Sequence, residues 1–139
     1  MAINLRNECF LHGKSFNEET TLTGKTILKT IDRAKELGYE LQLFYVGVNS
    51  PEIAKERIKN RVEKGGHYIE NDVVEKRYYE SLKNLKEIIL KFDKIQLYDN
   101  SNKYMEFFSF EDNKILFKTK DVSWAKEAIE IIENNIKNK

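Results

Sequence analysis

Leu41-Gln42-Leu43-Phe44-Tyr45-Val46-Gly47-Val48, running straight into Asn49-Ser50-Pro51-Glu52, decides the fold class. The first eight residues are β-branched and aromatic with almost no alternation, the pattern of a strand buried on both faces of a parallel sheet. They predict a central strand. The next four form a helix start: Ser50 suits the cap, Pro51 suits the first helical position, and Glu52 favours the positive end of the helix dipole. A strand that turns at once into a helix is the alternation of α/β proteins.

The flanks extend that alternation. Upstream, Ile27, Leu28, Ile31 and Ala34 have helical spacing between Lys25 and Leu37, and Gly38 is placed as the left-handed residue after the last turn. Before it, Ser15 to Glu19 fits a short strand, Thr20 to Gly24 a strand-to-helix crossing, and Ile3, Leu5, Phe10 and Leu11 a helix ending near Gly13. Downstream, the helix from Ser50 reaches about Lys64, Gly65-Gly66 breaks it, and a second helix runs from about Glu70 to Phe92 with Val74, Tyr78, Leu82, Leu85 and Ile89 on its apolar face. Two helices joined by a glycine hinge, over residues 51–92, suggest a lid. Lys94 to Asp99 alternates as a strand, and Tyr104–Phe110 with Lys114–Lys118 predicts an edge hairpin turning at Glu111-Asp112-Asn113. Asp121 is the expected cap of a last helix, with Trp124, Ala125, Ala128, Ile129, Ile132 and Ile136 on one stripe.

The fold class expected is therefore α/β: a mainly parallel sheet with flanking helices, a helical lid, and residues 94–139 as a terminal strand, hairpin and helix of one single domain over 1–139. With 139 residues, 40% of them hydrophobic, the chain supports one modest core. Its net charge of +1 argues against a nucleic-acid or anionic-membrane surface, so any basic site is local. Cys9 is the only cysteine, which fits an inert thiol in a reducing, cytoplasmic setting. No apolar run approaches the length of a membrane span.

Ligands of such sheets bind beyond the carboxyl ends of the strands. Glu18, Glu19, Thr20, Thr21, Asn49 and Asp99-Asn100-Ser101 are expected at that edge. Glu19 with Thr20 and Thr21 fits a carboxylate-hydroxyl group that binds Mg²⁺ through water or grips a substrate hydroxyl, and equally a solvated loop. Arg57 and Arg61 are four apart on one helix face, a spacing that suits a polyphosphate or simple pairing with Glu52, Glu56 or Glu63. His67 beside the glycine hinge and Arg77 beyond it complete the basic set, as phosphate donors or as exposed residues. Gly24-Lys25-Thr26 imitates the end of a G-x-x-x-x-G-K-[ST] phosphate loop, but Glu19 occupies the first glycine's place and a carboxylate there repels phosphate.

Phe16-Asn17-Glu18-Glu19-Thr20-Thr21-Leu22-Thr23-Gly24, Ala34 to Tyr39, Ser50-Pro51-Glu52, Arg57 through Val62, Gly65-Gly66-His67, Arg77-Tyr78 and Tyr98-Asp99-Asn100-Ser101 together resemble the zeta-toxin-like P-loop kinases, over about residues 15–101. The resemblance implies phosphoryl transfer from ATP or GTP with Mg²⁺ to a small hydroxyl substrate, in the zeta toxins UDP-N-acetylglucosamine. By motif matching it implies Glu19 and Arg61 as catalytic residues, and Thr20, Thr21, Arg57, His67 and Arg77 as substrate-binding residues, with no metal ligand assigned. The chain resembles roughly the C-terminal two-thirds of such a kinase, without the nucleotide-binding loop, so the expectation is an inactive chain on its own. The alternative is a non-catalytic binding module or split-gene half that meets a protein partner, supplying the missing strand and loop, through an open sheet edge.

Overall fold

The computed structural model describes residues 2–138, with side chains from Asn7 onward. In chain order the elements are α1 (Ala2–His12), α2 (Thr26–Glu36), β1 (Gln42–Gly47), α3 (Pro51–Glu63), α4 (Asn71–Ile88), β2 (Lys94–Asp99), β3 (Met105–Glu111), β4 (Lys114–Lys118) and α5 (Lys126–Lys137). A 3-10 turn at Ile89–Lys91 prolongs α4, and another at Ser123–Ala125 precedes α5. The expected first helix is present, while Ile3 and Leu5 lie outside the described side chains.

The α/β class is borne out. The sheet has four strands in the order β1-β2-β3-β4. β1 and β2 are parallel, in register from Gln42↔Lys94 to Gly47↔Asp99. The hairpin adds two antiparallel pairings, β2 with β3 and β3 with β4. Its turn places Asp112 at φ +49° and Asn113 at φ +66°, the left-handed pair that a two-residue hairpin loop requires.

Paired residues share a face, so the register sorts the sheet. Ile95 and Leu97 of β2, with Phe108 and Phe110 of β3, join Leu85, Ile88 and Ile89 of α4 and Ala128, Ile129 and Ile132 of α5 in one buried cluster. Phe107, Phe108 and Phe110 of β3 are all buried as strand packing. On the other face, Phe44 sits opposite Gln96 and Val46 opposite Tyr98. Tyr98 stacks there on Tyr104 with ring centroids 5.2 Å apart.

Three expectations are corrected. β1 is an edge strand rather than a central one: it pairs only with β2 among the described residues, and Phe44 and Val46 are 60% and 47% exposed. The non-alternating sequence reports apolar content on both faces, but among the described residues the face carrying Phe44 and Val46 is left largely open. Ser15–Glu19 forms no strand. Phe16 is instead drawn into an edge-to-face cluster with Phe10 and Tyr39, at 5.3 and 6.0 Å between centroids. The Tyr39 hydroxyl ties that cluster down by donating to the carbonyls of Cys9 and Lys14, both at 2.9 Å. Asp121 does not cap α5: it is exposed and pairs with Lys118 at 3.5 Å, and the helix starts at Ala125 without a side-chain cap.

Two helix ends follow their glycines. Gly38 (φ +83°) and Gly65 (φ +94°) each adopt the left-handed conformation after α2 and α3. Their neighbours close the reciprocal bonds of a Schellman motif, Tyr39 N–H to Ala34 O at 3.0 Å and Gly66 N–H to Arg61 O at 2.7 Å. At the other end of α3, Ser50 Oγ accepts from Ile53 N–H at 3.4 Å and Pro51 holds the first position, as the sequence indicates.

Candidate functional site

The loops that leave the parallel strands are tied together where a ligand of this sheet type is expected. Asn100 N–H donates to Gly47 O at 2.9 Å, and Asn49 N–H donates to Ser101 Oγ at 2.8 Å. The Ser101 hydroxyl in turn donates to Asp99 Oδ1 at 2.8 Å. Asp99, 5% exposed at the end of β2, also accepts from Trp124 Nε1 at 3.1 Å and Lys120 Nζ at 3.4 Å. Burial alone would raise the Asp99 pKa. The bonds from Ser101, Trp124 and Lys120 outweigh it and hold the carboxyl below its ordinary value.

Trp124 closes the floor of this edge. Its ring lies 5.5 Å from those of Tyr45 and Phe107, and a Cβ at Gly47 would stand 2.6 Å from its atoms, so only glycine fits at the end of β1. Tyr78 of α4 donates to Val48 O at 2.7 Å. Burial first, then the nearby Tyr45, Tyr79, Glu52 and Asp99, push its pKa up to about 12, so it stays a donor at neutral pH. Between these groups runs a groove of about 200 Å³, lined by Gly47, Val48, Ala54, Tyr78 and Ser81. A wider hollow of about 570 Å³ lies at the amino end of the strands, lined by Glu40, Asp93, Glu111 and Asp112 with Lys94 as its cation. Its acidic lining repels phosphate, so we place the candidate site at the carboxyl end.

Arg57 reaches this edge. Its Nη2 donates to Ser101 O at 3.1 Å, binding α3 to the loop after β2 instead of pairing with a glutamate of its own helix. Arg61, one turn further on, is exposed, as are His67 and Arg77, and none of the three side chains makes a hydrogen bond or ion pair among the described residues. Glu19 is likewise exposed and unbonded among them. Thr20 Oγ1 accepts from Leu22 N–H at 3.0 Å, and Thr21 Oγ1 meets Thr23 Oγ1 at 2.8 Å. No described contact joins the Glu19–Thr21 segment to the arginines. Of Arg57, Arg61 and Arg77, Arg57 alone is bonded among the described residues, to Ser101 O.

Sequence reasoning placed Asp99, Asn100 and Ser101 at the edge but missed Trp124 and Lys120, which complete the carboxylate's bonds. Trp124 was legible only as part of an apolar stripe. Among the described residues, no group of three or more His, Cys, Asp or Glu could hold a metal ion, and no helix is long and apolar enough to cross a membrane. The 139 residues contain no G-x-x-x-x-G-K-[ST] sequence, and Gly24, Lys25 and Thr26 form an ordinary helix start. The residues present therefore do not furnish a cradle for a nucleotide's phosphates.

A mixed sheet with a parallel pair, flanked by helices and with its loops converging on a polar edge, defines a protein of the kinase-like α/β class. The chain belongs to the Zeta toxin family, whose model matches residues 1–109, and the kinase-like P-loop fold is that family's. β4, α5, Lys120 and Trp124 lie beyond the matched segment. The chain is also similar to a Haemophilus influenzae protein described as "Uncharacterized protein", at 46% identity over 63 residues, which is 45% of this chain and 45% of that one. The match thus spans less than half of that relative's length. No solved structure matches the chain.

Proposed function

We propose that this chain forms the acceptor side of a zeta-toxin-type small-molecule kinase, where a hydroxyl of a phosphate-bearing substrate, of the UDP-amino-sugar type, is held for phosphoryl transfer from ATP or GTP with Mg²⁺. Family membership supports the reaction class. The observation that carries the reading is Arg57, whose bond to Ser101 O fixes the arginine face of α3 at the carboxyl end of the parallel pair. Arg61, with its guanidinium unengaged among the described residues, is set to pair with a substrate phosphate in bidentate fashion. Glu19 accepts the bond from the substrate hydroxyl, flanked by Thr20 and Thr21, while His67, in the loop between α3 and α4, and Arg77, on α4, supply further donors. The donor's phosphates need a loop that these 139 residues do not contain, so by themselves they bind the acceptor and turn over no ATP.

The test is calorimetric titration of the 139-residue chain with UDP-N-acetylglucosamine. Saturable binding is expected, weakened on the order of 10-fold or more by Arg61→Ala and by Glu19→Gln, since one charge-assisted hydrogen bond is worth about 1.5–3 kcal/mol. Both side chains are exposed and unbonded among the described residues, so the fold is expected to survive the changes. Absence of binding, or binding indifferent to both substitutions, would sink the reading, and ATP hydrolysis by the pure chain would refute the claim of no turnover.

The unpaired edge of β1 favours a second reading, in which the chain is a non-catalytic module that pairs β1 with a strand of a partner bearing a Gly-rich loop. That reading expects no sugar-nucleotide binding by the chain alone, so the same titration separates the two.

A further inference from the structure

Thr20 to Gly24 has no regular secondary structure, yet side chains of α4 hold it at three backbone atoms. Leu22 stands at φ +57° while only 3% exposed, a left-handed leucine inside the core. Such a backbone persists only where its surroundings over-determine it. The determinants are side chains of α4. Asn84, 6% exposed, uses its amide nitrogen twice, donating to Leu22 O and to Gly24 O, each at 3.0 Å. Glu80, one turn earlier on the same helix face, accepts from Gly24 N–H. The same helix is fastened to β1 by Tyr78 on Val48 O at 2.7 Å and by Ser81 with the Tyr45 hydroxyl at 2.8 Å. One stretch of α4, from Tyr78 to Asn84, therefore sets both the loop that follows Glu19 and the carboxyl end of β1.

We propose that Asn84 is a positioning residue: by locking the Leu22 kink it presents Glu19, Thr20 and Thr21 as one fixed group to the acceptor substrate, at a set distance from the edge that Arg57 and Arg61 serve. The proposal rests on the acceptor reading of those three residues. A purely structural asparagine would satisfy two buried carbonyls and leave the exposed Glu19–Thr21 segment indifferent to its loss. The positioning role demands that order propagate to those exposed residues and to ligand affinity.

The experiment measures amide hydrogen exchange and UDP-N-acetylglucosamine affinity on the full chain, for wild type, Asn84→Ala and Glu80→Ala. Asn84→Ala is expected to speed exchange of the bonded Leu22 and Gly24 amides by roughly 100-fold while β2 and β3 amides stay protected, and to weaken the sugar nucleotide by about 10-fold or more. Glu80→Ala, which removes only the more exposed half of the clamp, is expected to give smaller shifts in the same directions. It carries the test by itself if Asn84→Ala does not fold. Unchanged exchange at Leu22 and Gly24 overturns the proposal, and so does a loosened loop that binds the sugar nucleotide as well as wild type. If the wild-type chain binds no sugar nucleotide, the acceptor reading fails and the positioning role with it; if the wild type binds and Asn84→Ala binds equally well, the positioning role alone is overturned.

Discussion

Asp99 ends β2 as a buried carboxylate with donors on both oxygens, from Ser101, Trp124 and Lys120. Because its pKa is lowered in the folded chain, it binds protons less readily there than in the unfolded chain. Its stabilising contribution is thus complete above its ordinary value of 3.8 and is lost as pH falls through the lower folded-state value. Asp99→Asn keeps the shape and loses the charge, which is expected to cost about 1–3 kcal/mol at pH 7. The gap between the urea midpoints of wild type and variant is expected to be widest near neutrality and to close as the pH drops below 3.8; a gap that stays constant with pH would show that the charge contributes nothing. Tyr98-Asp99-Asn100-Ser101 was visible in the sequence as an edge motif. Its partners were not, since Trp124 is 25 residues away and its indole N–H does not enter an apolar periodicity.

Among the elements, α3 and α4 are joined through a break set by backbone conformation. Gly65 has open space where a Cβ would go, so the only penalty of Gly65→Ala is its φ of +94°. Gly66 is different, since a Cβ there would lie 2.9 Å from Arg61 O. Gly65→Ala is expected to lower stability by about 1 kcal/mol, and Gly65→Asn by less, because asparagine tolerates the left-handed region better. Thermal denaturation of the pair checks this, and equal losses would shift the cause away from φ. Ser50, Pro51, Gly38 and Gly65 were all legible from the sequence, because caps and left-handed turns depend on residues adjacent in the chain. The strand expected at Ser15–Glu19 failed for the converse reason: a strand exists only through a neighbour, and Phe16 packs more favourably against Phe10 and Tyr39 than a lone strand would.

At the scale of the molecule, the sheet is covered by α4 and α5 on one face and carries Phe44 and Val46 exposed on the other, at an edge with no charge or proline in β1 to blunt it. An edge of that kind pairs with other chains. Val46→Lys puts a cation on the open face and is expected to change stability by no more than about 0.5 kcal/mol. It is also expected to reduce concentration-dependent self-association in sedimentation experiments. A large loss of stability would mean that Val46 is packed in the isolated chain after all, and unchanged association would clear the β1 edge of that role.

The sequence by itself determined the α/β class, the order of the elements from α2 onward, the helix ends at Gly38, Ser50 and Gly65, and the hairpin, because each depends on periodicity or on neighbours a few residues apart. It also placed Asn49, Asp99 and Ser101 near one edge, through the rule that loops after parallel strands converge. Only the tertiary structure decided that β1 is an edge strand, that Trp124 and Lys120 hold Asp99, and that Asn84 fastens the loop after Glu19. Those depend on which distant segments meet, and hydrophobic pattern reports how much surface a residue must bury without saying what will cover it.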